Sequence, residues 1–90
     1  MTAEKWRNLG PKSRQMLSAA GIETMAQLRE LGAVAAYLRV RSIAPNVSLN
    51  LLWALAGALS DQAWQVIARQ QRLHLLLELE QAQSDLSKFS

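Results

Sequence analysis

Few side chains in this sequence are suited to acid–base or nucleophilic chemistry, and their spacing does not favour it. His74 is the single histidine among 90 residues; it lies within a leucine-rich segment, one helical turn before Glu78. Glu78 and Glu80 are two positions apart, so on a helix they face different sides and cannot form a paired carboxylate site. Cysteine is absent, and the sequence contains no phosphate-binding loop and no zinc-ligand spacing. We therefore predict no enzyme activity and no cofactor, and a chain that acts by binding.

The size and composition predict one small domain. Half of the 90 residues are hydrophobic, which is enough for a single modest core. No segment approaches the ~18 apolar residues of a membrane span, and the first residues are too polar for a secretory signal. We therefore expect a cytoplasmic chain with neither a membrane partner nor a small-molecule substrate.

The charge is unevenly distributed along the chain. Residues 1–41 carry seven basic and three acidic side chains, a balance of +4, whereas residues 42–90 carry three basic and four acidic ones, a balance of −1. Such a basic half can attract nucleic acid or another anionic partner, but an ordinary solvated surface has the same composition.

Turn and capping signals divide the first part of the chain into short helices. Gly10-Pro11 is typical of a helix start, and Gly21 of the end of that helix. Thr24 with Gln27 predicts a capping box for a second helix, which Gly32 ends. No strand signal is present, because there is no sustained alternation of apolar and polar residues.

The middle of the chain is predicted to supply the core. A third helix is expected from Ala33 to Arg41, followed by a loop over Ser42 to Val47. Ser48 caps a helix from Leu49 to Leu59 that is apolar on every side, which predicts neighbours on every side.

Two more helices are expected after this central one. Ser60-Asp61 is interpreted as the cap of a short helix, and the last helix is expected from Arg69 to about Ala82. The domain is thus predicted over residues 1–82, with residues 83–90 as a polar tail or a helix extension. Trp64 and Ile67 are assigned to the short helix, and Leu73, Leu76 and Leu77 of the last helix are expected to face inward. Trp53 of the central helix and Trp64 are expected to be core aromatics.

Several motifs, in the same order along the chain, resemble a known family. They are Asn8-Leu9-Gly10-Pro11-Lys12-Ser13, Ala20-Gly21-Ile22-Glu23-Thr24, Leu28-Arg29-Glu30-Leu31-Gly32-Ala33, Val47-Ser48-Leu49-Asn50-Leu51-Leu52 and Ala54-Leu55-Ala56-Gly57-Ala58-Leu59. Together they resemble the C-terminal domain of the TfoX/Sxy competence regulators. The resemblance implies an all-α, compact bundle of five to six short helices, related to SAM-like and helix-hairpin-helix folds. It also implies a bacterial origin and a link to the regulation of genes for natural DNA uptake, but no established biochemical activity. The chain is expected to stand alone, without the α/β domain that usually precedes this one in TfoX-like regulators.

The segment Trp6-Arg7-Asn8-Leu9-Gly10 resembles the turn with which helix-hairpin-helix proteins meet a phosphate. Asn8 occupies the place of the first glycine and tolerates a positive φ, and Leu9 would anchor the turn. The alternative is that Gly10-Pro11 only begins a helix and that Trp6 packs on the core. The predicted nucleic-acid contacts are Arg7, Asn8, Gly10, Lys12, Ser13 and Arg14.

Leucines near the C-terminus predict a second surface. Leu75, Leu79, Ala82, Leu86 and Phe89 recur at spacings of four, three, four and three, which is a heptad seam suited to a protein partner or a second copy. A frayed tail is the alternative, because the intervening polar residues are weak helix formers. Three hypotheses follow: a protein-interaction module in transcription regulation, which we favour, a nucleic-acid binder, and a self-associating structural domain.

Overall fold

The computed structural model describes residues 8–88, including the side chains of residues 8–84, and this part of the chain contains helices and no strand. The predicted all-α fold of five to six short helices is thereby confirmed. None of these helices is long and apolar enough to cross a membrane. In chain order they are α1 (Pro11–Ala19), α2 (Met25–Leu31), α3 (Ala33–Ile43), α4 (Leu49–Ser60), α5 (Trp64–Gln70) and α6 (Arg72–Lys88).

The predicted start of α1 and the predicted ends of α1 and α2 are confirmed by their caps, whereas α3 ends at Ile43, two residues later than predicted. Pro11 is the first residue of α1, and the chain leaves that helix through Gly21, whose φ is +86°. At α2 the capping box is complete, because the amide of Gln27 donates to Thr24 Oγ1 at 3.1 Å and the amide of Thr24 donates to Gln27 Oε1 at 3.1 Å. Gly32, with φ +83°, ends α2 and begins α3.

The centre of the core is α4, as its apolar composition predicts. Every residue from Leu51 to Gly57 is buried, and Ser48 caps the helix by accepting from the Asn50 amide at 3.2 Å. This helix packs against α3 and α5, and α3 in turn contacts α1, α2 and α6. Within α3, Tyr37 is buried, and its hydroxyl donates to the Val47 carbonyl at 3.4 Å, which ties α3 to the loop that follows it.

The connection from α4 to α5 differs from the prediction. Asp61 adopts the left-handed conformation, with φ +55°, and ends α4, while Ser60 Oγ donates back to the Ala56 carbonyl at 2.8 Å. Ser60-Asp61 is therefore the end of α4, and the N-cap of α5 is Ala63. Trp64, predicted to be a core aromatic, is 37% exposed, whereas Trp53 is buried as predicted.

The last helix begins later than predicted, extends through Lys88, and is rotated about its axis relative to the predicted orientation. The helical conformation is interrupted at Gln71, which caps the C-terminus of α5. The last helix, α6, therefore starts at Arg72, and it continues past Ala82 to Lys88. Leu73 and Leu77, predicted to face inward, are 71% and 56% exposed. The side chains of α6 that enter the core are instead Leu75 and Leu79, with Leu76 and Ala82 partly buried beside them.

Candidate binding surfaces

In the turn before α1, two described residues have the properties that the resemblance to a phosphate-binding turn leads us to expect. Asn8 adopts φ +67°, the conformation expected of a glycine substitute, and Leu9 is buried and anchors the turn. Gly10 is extended and occupies the N-cap of α1, where it offers no side-chain cap. Trp6 and Arg7 lie outside the described residues.

The Asn8 side chain is engaged within the domain. Its Nδ2 donates to the carbonyl of Gln62 at 2.8 Å, and its Oδ1 accepts from the amide of Trp64 at 3.3 Å. Asn8 thus joins the turn before α1 to the connection between α4 and α5. A side chain with both polar ends occupied in this way has a structural role, and we assign Asn8 that role.

Gly57 makes this junction possible. A Cβ atom at position 57 would lie 2.5 Å from Asn8 Nδ2 and 2.5 Å from the Gln62 carbonyl oxygen, closer than van der Waals contact permits. Sequence reasoning did not identify Gly57 or Gln62. A glycine inside an otherwise apolar helix was the available signal, because such a residue often marks a close approach of another segment.

The candidate phosphate contacts do not all lie on one side of α1. Asn8, Lys12 and Ser13 line one groove, while Arg14 lines another together with Ser18 and Glu23. This separation follows from helix geometry, since positions two apart on a helix point in nearly opposite directions. The described basic side chains nearest the turn, Lys12 and Arg14, are therefore divided between two faces.

The groove beside Lys12 has a volume of about 770 Å³ and lies between α1, the α3–α4 loop and the first half of α4. Lys12 is the one charged residue among the described residues that line it. The apolar part of its lining consists of Met16, Ala44, Pro45, Val47, Leu51, Ala54 and Trp64. A mainly apolar groove with a single cation is better suited to a peptide segment than to a nucleic-acid backbone, which favours several cations.

The first three residues of the predicted heptad seam of α6 lie against the domain's own core. Leu75 and Leu79 are only 5% and 6% exposed, and Ala82 packs beside them, so that these side chains already have partners within the chain. The side chain of Leu86, and Phe89 altogether, lie outside the described part of the structure. The leucines that α6 presents to solvent are Leu73 and Leu77, one helical turn apart.

The polar groups of α6 form a surface pair rather than a reactive site. His74 Nε2 lies 2.6 Å from Glu78 Oε1, with both side chains at least half exposed, which is the pairing expected one turn apart on a helix surface. Within the described residues no group of three or more His, Asp or Glu side chains is arranged to hold a metal ion.

Comparisons with known proteins agree with this architecture. Two crystal structures from Listeria monocytogenes superpose on the chain with a TM-score of 0.76 each. The triclinic form, described as an uncharacterized protein, is 26% identical over 88% of this chain and 90% of the other. The tetragonal form, described as a protein of unknown function, is 28% identical over 89% of this chain and 98% of the other.

No curated protein matches the chain. The model of the TfoX C-terminal domain, however, matches residues 3–79, a segment that contains helices α1 to α5 and the first half of α6. The chain therefore belongs to the family of TfoX C-terminal domains.

Proposed function

We propose that this chain is a non-catalytic binding module of a TfoX-like regulator, and that it acts through protein–protein contacts made by the outer face of α6. The observation that supports the proposal is the exposure of Leu73 and Leu77, at 71% and 56%, on a helix whose opposite face already fills the core. We call Leu73 and Leu77 the outer leucine pair.

Within the described residues, the outer leucine pair does not belong to the core of its own domain. Leu75 and Leu79 supply the inward face of α6, and they are nearly as buried as the centre of α4. Two adjacent leucines left in water lose the free energy that burial would provide, about 25 cal/mol for each Å² of apolar surface. A neighbouring apolar face on another protein would recover this free energy by covering both side chains.

The proposal is tested by capturing partners from cells that express the tagged chain, with cross-linking and mass spectrometry as the readout. The variant Leu73→Gln with Leu77→Gln removes the apolar face and retains helix propensity, because glutamine is almost as good a helix former as leucine. The matched control is Leu49→Gln, which alters an exposed leucine at the start of α4. We expect the double variant to lose partners that the control retains; equal recovery by both variants would contradict the proposal.

Nucleic-acid binding through the segment Asn8 to Arg14 is the second candidate. It is favoured by the positive φ of Asn8, the buried anchor Leu9 and the exposed side chain of Lys12 at the start of α1. The engagement of Asn8 with Gln62 and Trp64 counts against it.

Salt dependence separates the two candidates. If Lys12 and Arg14 each neutralise a phosphate, the logarithm of the binding constant should fall by roughly 2 for each tenfold increase in salt, at ~0.9 per phosphate. The double variant Lys12→Glu with Arg14→Glu should then abolish binding. Failure of the wild-type chain to bind single-stranded or duplex DNA at low salt would exclude this candidate.

A further inference from the structure

The outer leucine pair is accompanied by two opposite charges on one flank of α6. Arg72 precedes Leu73, Glu80 lies two turns later, and both are exposed. Leu76, which is partly buried, lies between them on the same flank, since it is four positions from each. The eight positions from Arg72 to Glu80 correspond to about 12 Å along the helix axis, so these two side chains cannot pair within one helix.

Neither charge is neutralised by a residue that the structure describes. No ion pair joins Arg72 or Glu80 to another residue of the described part of the chain, and the nearby carboxylate of Glu78 already contacts His74. This flank of α6 therefore carries a cation, Arg72, before the outer leucine pair and an anion, Glu80, after it along the helix axis.

We propose that α6 pairs in antiparallel orientation with α6 of a second copy of this chain, an inference that rests on the proposed function and names the partner. A two-fold axis at the level of Leu75, midway between the outer leucines, places Leu73 of each copy against Leu77 of the other. The same axis brings Arg72 of each copy to within about 3 Å, along the helix, of the level of the other copy's Glu80. Such a contact is isologous: one patch meets itself, and each ion pair forms twice.

The charges select this orientation over the parallel one. In a parallel pair, the two-fold axis runs along the helices and places the flank that carries Arg72 and Glu80 on opposite sides of the two copies, so that neither ion pair can form. In the antiparallel pair the same flank of both copies lies on one side, and each Arg72 meets a Glu80. The contact is also small, because two turns of one helix bury less than the ~800 Å² per partner of a standard interface. The dimer is accordingly weak, forms in a concentration-dependent manner and weakens as salt screens the ion pairs.

Sedimentation equilibrium of the full chain over a wide concentration range, combined with charge exchange, tests the proposal. Arg72→Glu alone and Glu80→Arg alone should each weaken dimerisation about tenfold or more, since each places like charges opposite each other. The double variant Arg72→Glu with Glu80→Arg should restore the wild-type dimerisation constant, because the two ion pairs form again with their signs exchanged. Arg29→Glu, a reversal of an exposed charge on α2, is the matched control and should leave dimerisation unchanged.

Circular dichroism of each variant verifies that the helices are retained, so that a change in dimerisation is not confused with unfolding. Wild-type chain that remains monomeric at all concentrations overturns the inference, as does a double charge variant that fails to recover. If the chain is monomeric and the outer leucine pair is still needed to capture a different protein, the proposed function stands and this inference alone fails.

Discussion

At the scale of single residues, the junction between Asn8, Gly57 and Gln62 links sequence positions that are far apart. Asn8 stands in for a glycine in its backbone conformation, and its side chain then bridges to the connection between α4 and α5. Gly57 leaves the space for this contact. The segment that resembles a phosphate-binding turn is thereby fastened to the core by the residue that gives it its shape.

Replacement of Asn8 tests its structural role. Asn8→Ala removes two hydrogen bonds, one of them partly buried, each worth about 0.5–1.5 kcal/mol, and places an alanine at a positive φ. We expect the free energy of unfolding, measured with urea, to fall by about 1–3 kcal/mol. Asn8→Gly, which keeps the backbone conformation, should cost less; equal stability of Asn8→Ala and the wild type would contradict this role.

Gly57→Ala reverses the usual effect of such a change. Glycine to alanine inside a helix ordinarily stabilises by about 0.5–1 kcal/mol, because glycine is the more flexible residue when unfolded. Here the new methyl group would overlap Asn8 and the Gln62 backbone, so we expect a loss of about 1–3 kcal/mol in urea unfolding. Gly10→Ala is the control, since nothing lies within 4 Å of a Cβ there. A Gly57→Ala variant as stable as the wild type would mean that α4 and its neighbours separate at little cost.

At the scale of secondary structure elements, α6 shows how a leucine-rich helix can be rotated relative to its predicted orientation. Five of the seven residues from 73 to 79 are leucine, so that several faces of this helix are apolar. Periodicity alone does not then decide which face turns inward. The inward face is set by the interruption of the helix at Gln71 and by the contacts of α6 with α3 and α5.

Alanine substitutions along α6 measure this orientation directly. Leu75→Ala and Leu79→Ala should each lower the free energy of unfolding by about 2–5 kcal/mol, because they leave cavities in the core. Leu73→Ala and Leu77→Ala make the same chemical change at exposed positions and should alter it by less than about 0.5 kcal/mol in the monomer. Thermal or urea unfolding at low protein concentration compares the two pairs, and the reverse order of effects would favour the originally predicted orientation.

At the scale of the whole molecule, one core joins all six helices. Buried residues from each helix contribute to a single cluster with α4 at its centre, and Trp53 lies within it. A small domain with one core is expected to unfold in a single cooperative step.

This cooperativity is measurable through Trp53. In a Trp6→Phe, Trp64→Phe background, the fluorescence of Trp53 should change over the same range of urea concentration as the helical signal in circular dichroism. Both probes then report the same transition, because loss of the core and loss of the helices occur together. Separate transitions would show that part of the helical structure outlasts the core.

Much of this architecture follows from local signals in the sequence. Gly21, Gly32 and the Thr24–Gln27 capping box determine where α1 and α2 end and begin, because a positive φ and a capping hydrogen bond depend on a few neighbouring residues. The burial of α4 was likewise predictable, since it is apolar on every side. The motifs that resemble TfoX C-terminal domains are also local, and the family match over residues 3–79 agrees with them.

Only the tertiary structure decided which surfaces are free. Asn8 and Gln62 are 54 positions apart, and no local pattern reveals that they are hydrogen-bonded. The inward and outward faces of α6 depend on which neighbours the helix meets, because leucines on several faces could bury any of them. Local signals thus determined that the chain is helical and where α1 and α2 end. Long-range packing engaged the Asn8 side chain, buried Leu75 and Leu79 and left Leu73 and Leu77 exposed to solvent, because these outcomes depend on which segments meet.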